Sequence, residues 1–228
     1  MTLTAEKIHS NYKKHLKIVD TYIGERKDKV KQLIEHIGET YIMAPASSKT
    51  WHHNAIPGGY VDHVNRVIEF SIKCKRLYED MGGTIDFTDE ELVFAGIFHD
   101  LGKLGDGDTP NYMPQTDKWR QDKLHEMYTF NSELPFMLIP DRSLYILQKF
   151  DIKVSHNEAY FYSHSPNSRM KTNIVYVLHM ADFMASKVEY DIWLKSTGGA
   201  TPKVQKTKST TGKRVNSSAG LTNMLKNL

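Results

Sequence analysis

The chain has 228 residues, 39% hydrophobic and 25% charged, with a formal net charge of +3. That length holds one sizeable core without requiring a second, and the balance is that of a globular protein rather than a disordered or fibrous one. Its longest apolar runs are too short to cross a bilayer, and a single cysteine, Cys74, excludes an internal disulfide framework.

The charge is unevenly spread. Between 203 and 228 lie Lys203, Lys206, Lys208, Lys213, Arg214 and Lys226 with no acid, and removing those six charges leaves the body at −3. A slightly acidic body argues against a broad nucleic-acid surface, while the tail's Ser, Thr, Gly and Lys content predicts disorder. The first residues, Met1 to Lys7, lack a basic start followed by an apolar stretch, so no secretory signal is expected and a cytoplasmic location follows.

Taken in order, Ile8, Tyr12, Leu16, Val19, Ile23, Val30, Leu33, Ile34 and Ile37 predict an N-terminal helical stretch, broken near Gly24 and ending before Pro45. A loop runs through Gly59. Val61, Val64, Val67, Ile68 and Ile72 then mark a helix that ends at Met81-Gly82-Gly83. Thr88-Asp89-Glu90-Glu91 reads as a capping box, followed by an apolar run into His99-Asp100 and a stop at Gly102. From Gly105 to Gln121 the composition predicts an ordered loop or lid. A helix over 141–150 follows, then a second capping box at Ser155-His156-Asn157-Glu158, then a helix carrying Ile174, Val177, Leu178, Ala181, Met184, Ala185 and Val188. At the end, Leu221, Met224, Leu225 and Leu228 fall at i, i+3, i+4 and i+7, one apolar helical stripe suited to the protein's own body, another subunit or a partner. No alternating strand pattern stands out. The expected fold is all-α: a helical extension over 1–40, a helical core over 41–198 and a basic tail over 199–228.

Four residues in these helices stand against their surroundings. His63, the pair His99-Asp100, and Asp182 form an ordered series, and a carboxylate on an apolar helix face needs a cation or several donors to offset its lost hydration. One buried acid is readily structural; two acids with two histidines are the ligand set that divalent Zn, Mn, Fe, Co or Mg accepts. His9, His15 and His36 are read as bystanders among the 11 histidines. Paired glycines at Gly58-Gly59 allow the backbone before His63 to approach a ligand closely.

Gly58-Gly59-Tyr60-Val61-Asp62-His63, His99-Asp100-Leu101-Gly102-Lys103 and Asp182 together resemble the HD superfamily of metal-dependent phosphohydrolases, over about residues 41 to 195. In that superfamily the His-Asp dyad and a flanking His and Asp bind the metal, which implies His63, His99, Asp100 and Asp182 as ligands. The stretch Ala44-Pro45-Ala46, His52-His53, Gly58-Gly59 and His63 further resembles the HD domain of certain 3'-to-5' exoribonucleases, whose additional OB-fold has no strand-rich counterpart here. Compact HD proteins acting on deoxynucleotides, such as dATP triphosphohydrolases and 5'-deoxynucleotidases, are closer in size. Their usual Glu shortly after the dyad is absent, and Lys103 completes an HDxGK pattern instead.

The resemblance implies hydrolysis of a phosphoester or phosphoanhydride, with a nucleotide as substrate, and the chemistry agrees: a dication lowers the pKa of water from 15.7 toward roughly 7 and polarises a phosphoryl oxygen. Lys103 is expected to set an ammonium against the phosphate. Asp106 is the candidate to orient water, with Asp108 beside it. His52, His53 and Arg142 are candidate substrate contacts, and Lys118, Arg120 and Lys123 further cations. Tyr112, Trp119, Tyr128 and Phe130 are candidate base platforms; His125, Glu126, His156 and His164 remain open as second-metal or substrate contacts. Other readings are a 3'-to-5' exonuclease and a nucleotide-sensing module without turnover; homo-oligomerisation and a tail partner stay open.

Overall fold

The computed structural model describes residues 2–107, 109–162 and 172–198; the basic tail, its apolar stripe, Asp108 and His164 lie outside the described residues. The fold is all-α, with nine α-helices among the described residues.

Local chemistry sets the helix ends. The Thr4 hydroxyl accepts from Lys7 N at the start of α1 (Ala5–Tyr22), and Gly38, at φ 58°, ends α2 (Lys27–Ile37). The short α3 (Glu39–Met43) leads to the loop before α4 (Gly59–Asp80). The Thr88–Glu91 capping box is fully formed at α5 (Asp89–Phe98), and a 3₁₀ turn, Leu101–Leu104, follows the dyad. After α6 (Lys118–Leu124) and α7 (Ile139–Lys149), the Ser155–Glu158 box opens α8 (His156–Tyr162): Ser155 N donates to Glu158 Oε2 at 2.6 Å and Glu158 N to Ser155 Oγ at 3.3 Å. The long α9 (Asn173–Ser196) packs along α4, and no described helix is long and apolar enough to cross a membrane.

Residues 5–37 contribute to the main core. Val19, Ile23, Val30, Leu33 and Ile34 share one buried cluster with Tyr60, Val61, Val64 and Ile68 of α4 and Phe94, Ile97 and Phe98 of α5. A second cluster joins Val67, Leu92 and Ala95 to Ile174, Val177, Leu178 and Ala185.

Two findings differ from the sequence expectation. The stretch predicted as a loop or lid contains β1 (Tyr112–Pro114), which pairs antiparallel with β2 (Tyr128–Phe130) and brackets α6. Strands of three residues carry too few positions for alternation to register. The second concerns Gly59: a Cβ there would stand 2.1 Å from the Asn54 carbonyl oxygen, and one on Gly58, at φ +75°, 2.7 Å from Ile8. The glycines admit the chain's own loop and α1, rather than a ligand.

Candidate metal centre

Three helices bring the predicted residues together. His63 lies in the second turn of α4, His99 and Asp100 follow α5 directly, and Asp182 is midway along α9. His63 Nε2 stands 3.2 Å from Asp182 Oδ1 and 3.7 Å from Asp100 Oδ2, while His99 Nε2 is 3.3 Å from the same Asp100 oxygen. One donor atom each from His63, His99 and Asp182 lie within 4.8 Å of one another, as do those of His53, His63 and Asp100. Opposed ligands at about 2.1 Å from an ion are about 4.2 Å apart, so small side-chain movements close the shell.

The residues fit a divalent cation. His63 is fully buried, and its Nε2, despite the nearby Asp182 oxygen, makes no hydrogen bond of proper geometry. His99 Nδ1 lies 2.8 Å from the Gly96 carbonyl, which can only accept, so Nδ1 carries the proton and Nε2 presents its lone pair toward Asp100. Among the described residues the ion-pair partner of Asp182 is His63, not an Arg or Lys. Asp100 has a second cation: Lys103 Nζ sits 2.6 Å from Oδ2, and also 3.2 Å from His53 Nε2. His53 stacks on His63 with ring centroids 4.7 Å apart.

These charges tune one another. Burial holds the His63 imidazolium down, but the Glu189 and Asp182 carboxylates outweigh it and push its pKa up to about 10. Burial works against ionised Asp182 and Asp100 as well, yet His63 and His99 for Asp182, and Lys103 and His99 for Asp100, hold both below the usual carboxylate range. Lys103 is raised because Asp100 outweighs its burial; His53 is lowered by burial and by Lys103. A dication at this cluster would compete with a proton for His63, so its uptake would release protons.

Sequence reasoning missed the carboxylate behind His63. Both Glu189 oxygens lie 3.1 Å from His63 Nδ1, and Glu189 also accepts from Arg66 Nε at 3.1 Å. Arg66 in turn donates to Asp62, which accepts from Asn11 of α1 and Asn54 of the loop. A signal was present: Glu189 is two turns beyond Asp182, an acid on the same side of an apolar helix.

Other candidates stand elsewhere. Asp106 pairs with Lys149 Nζ at 3.0 Å, half-exposed, and takes no part in the metal-ligand groups. Arg142 is buried, and its guanidinium donates to Asn111 Oδ1 at 3.2 Å and Pro135 O at 2.6 Å. His52 is exposed and edges onto Trp51 at 4.1 Å. Glu126 pairs with Arg120 at 2.6 Å, and His125 packs against Trp193. Tyr112 is near enough to Lys103 and Asp100 for its hydroxyl pKa to feel both, although burial raises it most. Trp119 and Phe130 are exposed, and Lys118 and Lys123 are surface charges. His15 is a core residue, bonded to Asn65 and Tyr41; His9 and His36 are exposed.

Beside the cluster an open cleft of about 310 Å³ is lined by Trp51, His52, His53, Phe183, Ser186, Lys187 and Tyr190. A larger apolar groove of about 600 Å³, between Leu77 of α4 with Met81 just beyond its end and Tyr176 and Met180 of α9, holds none of the candidate ligands. Comparison with family models, curated proteins and solved structures found no match.

Proposed function

We propose that this chain is a metal-dependent phosphohydrolase of the HD type, cleaving a phosphoester or phosphoanhydride of a (deoxy)nucleotide. The observation that carries the reading is the convergence of His63, His99, Asp100 and Asp182 from three helices, with the buried His63 Nε2 turned toward two carboxylates. The donor set suits Mn, Co, Fe, Zn or Mg. When bound, such an ion supplies a Lewis acid and a water that ionises near neutral pH.

The remaining work belongs to the chain's own residues. Lys103 is anchored between Asp100 and His53, so its ammonium is fixed where phosphoryl charge must be offset. His53, kept neutral by burial, accepts from that ammonium and fills the space between centre and cleft. Phe183, Ser186, Lys187 and Tyr190 fall at i, i+3, i+4 and i+7 on α9, forming one wall of the cleft immediately after Asp182. Phe183 is 66% exposed, and an aromatic face left in water beside a charged centre suits a stacked nucleobase. A cytoplasmic location belongs to the same proposal, since nucleotide pools are there.

The test is the purified chain with Mn2+ or Co2+ and a panel of ribo- and deoxynucleoside mono-, di- and triphosphates plus a single-stranded oligonucleotide, read by product identity. Turnover of a mononucleotide is expected, abolished by Asp100→Ala. Phe183→Ala should raise KM roughly tenfold, as stacking worth about 1–3 kcal/mol implies. Turnover that survives Asp100→Ala overturns the reading. Tight binding without turnover identifies a sensor, and trimming of the oligonucleotide from its 3' end an exonuclease.

A further inference from the structure

We infer that Glu189 is a positioning residue for His63, fixing the imidazole so that Nε2 faces the metal centre, and that Arg66 and Asp62 hold Glu189 in place. The inference rests on the metal centre proposed above.

A neutral imidazole carries one proton, and the hydrogen bond made by one ring nitrogen decides which nitrogen is left as a ligand. Both oxygens of Glu189 lie 3.1 Å from His63 Nδ1. An ionised carboxylate only accepts, so in the neutral ring that a metal would bind, Nδ1 carries the proton and Nε2 keeps its lone pair. His53 is stacked on one face of the ring with centroids 4.7 Å apart, and His63 is fully buried.

Glu189 is itself only 3% exposed, and a carboxylate buried to that degree needs donors from more than one side. Arg66 Nε supplies the second at 3.1 Å, and Arg66 Nη2 also reaches Asp62 Oδ2 at 3.1 Å. Asp62 accepts from Asn11 Nδ2 at 2.8 Å and from Asn54 Nδ2 at 2.9 Å. Every link in this chain has one polarity: amides and guanidinium donate, carboxylates accept, and the final donor is His63 Nδ1. Only one tautomer of His63 completes it. The chain also spans α1, α4, α9 and the loop bearing His52 and His53, so their packing is read out at one ligand nitrogen. A carboxylate serving only to staple helices would leave metal affinity unchanged when replaced.

The test measures Co2+ affinity by calorimetry for the wild-type chain and Glu189→Gln, with metal-free melting curves as the check on folding. Loss of such an outer partner should weaken Co2+ binding roughly 10–100-fold in a variant that still folds. Proton NMR of the Co2+-loaded wild type supplies a signature that packing alone does not move. Two slowly exchanging, hyperfine-shifted imidazole N–H signals are expected, from His63 held by Glu189 and His99 held by the Gly96 carbonyl, and Glu189→Gln should shift or lose only the first. An affinity within twofold of wild type overturns the inference and leaves the metal centre standing. Should Glu189→Gln fail to fold, the wild-type spectrum decides, since a single slow N–H signal overturns the inference. A wild-type chain that binds no Co2+ overturns the metal centre and the inference together.

Discussion

Asp100→Asn separates what the carboxylate does for the fold from what it does for a metal. Asp100 Oδ2 takes the Lys103 ammonium at 2.6 Å, and each side chain is 14% exposed, so the substitution leaves a desolvated cation facing a neutral amide. Breaking a buried pair costs about 3–5 kcal/mol; the Asn oxygen retains one hydrogen bond and some water reaches the pair, which brings the expected loss to about 2–3 kcal/mol. For a domain of this size that is a fall in Tm of roughly 4–12 °C in EDTA. Mn2+ at about a hundred times its Kd should add about 2.7 kcal/mol to the wild type and little to the variant. Melting curves followed by circular dichroism, in EDTA and in Mn2+, read both effects. Equal Tm values in EDTA would refute the buried pair, and an equal Mn2+ gain in both proteins would refute Asp100 as a ligand.

Arg142→Met should lower stability by about 2–4 kcal/mol, since Asn111 Oδ1 and the Pro135 carbonyl lose their donor, with Mn2+ affinity nearly unchanged. Calorimetry and denaturant melts check it; intact stability with a sharply raised KM would return Arg142 to the substrate. Asp106→Asn removes only a half-exposed pair with Lys149, so turnover should stay within about twofold, and a loss of several hundredfold would show that Asp106 acts in the chemistry. His15 is buried, and burial lowers its pKa to about 4 against an unfolded value near 6.5. The folded state thus excludes a proton that the unfolded chain accepts. Its contribution is complete above pH 6.5 and is lost as pH falls from 6.5 toward 4, on the order of 3 kcal/mol in all. Urea midpoints at pH 7, 5 and 4 should show that slope flattened in His15→Gln; an unchanged slope assigns the acid sensitivity elsewhere.

The metal-ligand candidates were legible because charge on an apolar stripe is conspicuous in sequence: His99-Asp100 ends a run from Leu92 to Phe98, and Asp182 lies between Ala181 and Ala185 on the buried side of α9. The spacing of Lys103 to the dyad was legible as proximity to Asp100, and its Nζ lies 2.6 Å from Asp100 Oδ2. The two-turn spacing of Glu189 from Asp182 was obscured by its neighbours Lys187, Tyr190 and Asp191, which make that turn look solvated, whereas the packing of α4 against α9 shows it buried. The acceptors of Arg142 were not legible, because loop carbonyls that need a donor leave no mark in sequence. Asp106 is close to the dyad in the chain, and the turn at Gly105 and Gly107 carries it toward Lys149, a pairing that sequence spacing does not show.

The account stands most directly on where a metal binds. Crystals of the full chain soaked in Mn2+ and measured at the manganese edge should give an anomalous peak at about 2.0–2.3 Å from His63 Nε2, His99 Nε2 and oxygens of Asp100 and Asp182. A peak confined to surface carboxylates, with Lys103 still seated on Asp100 and His63 on Asp182, would contradict it.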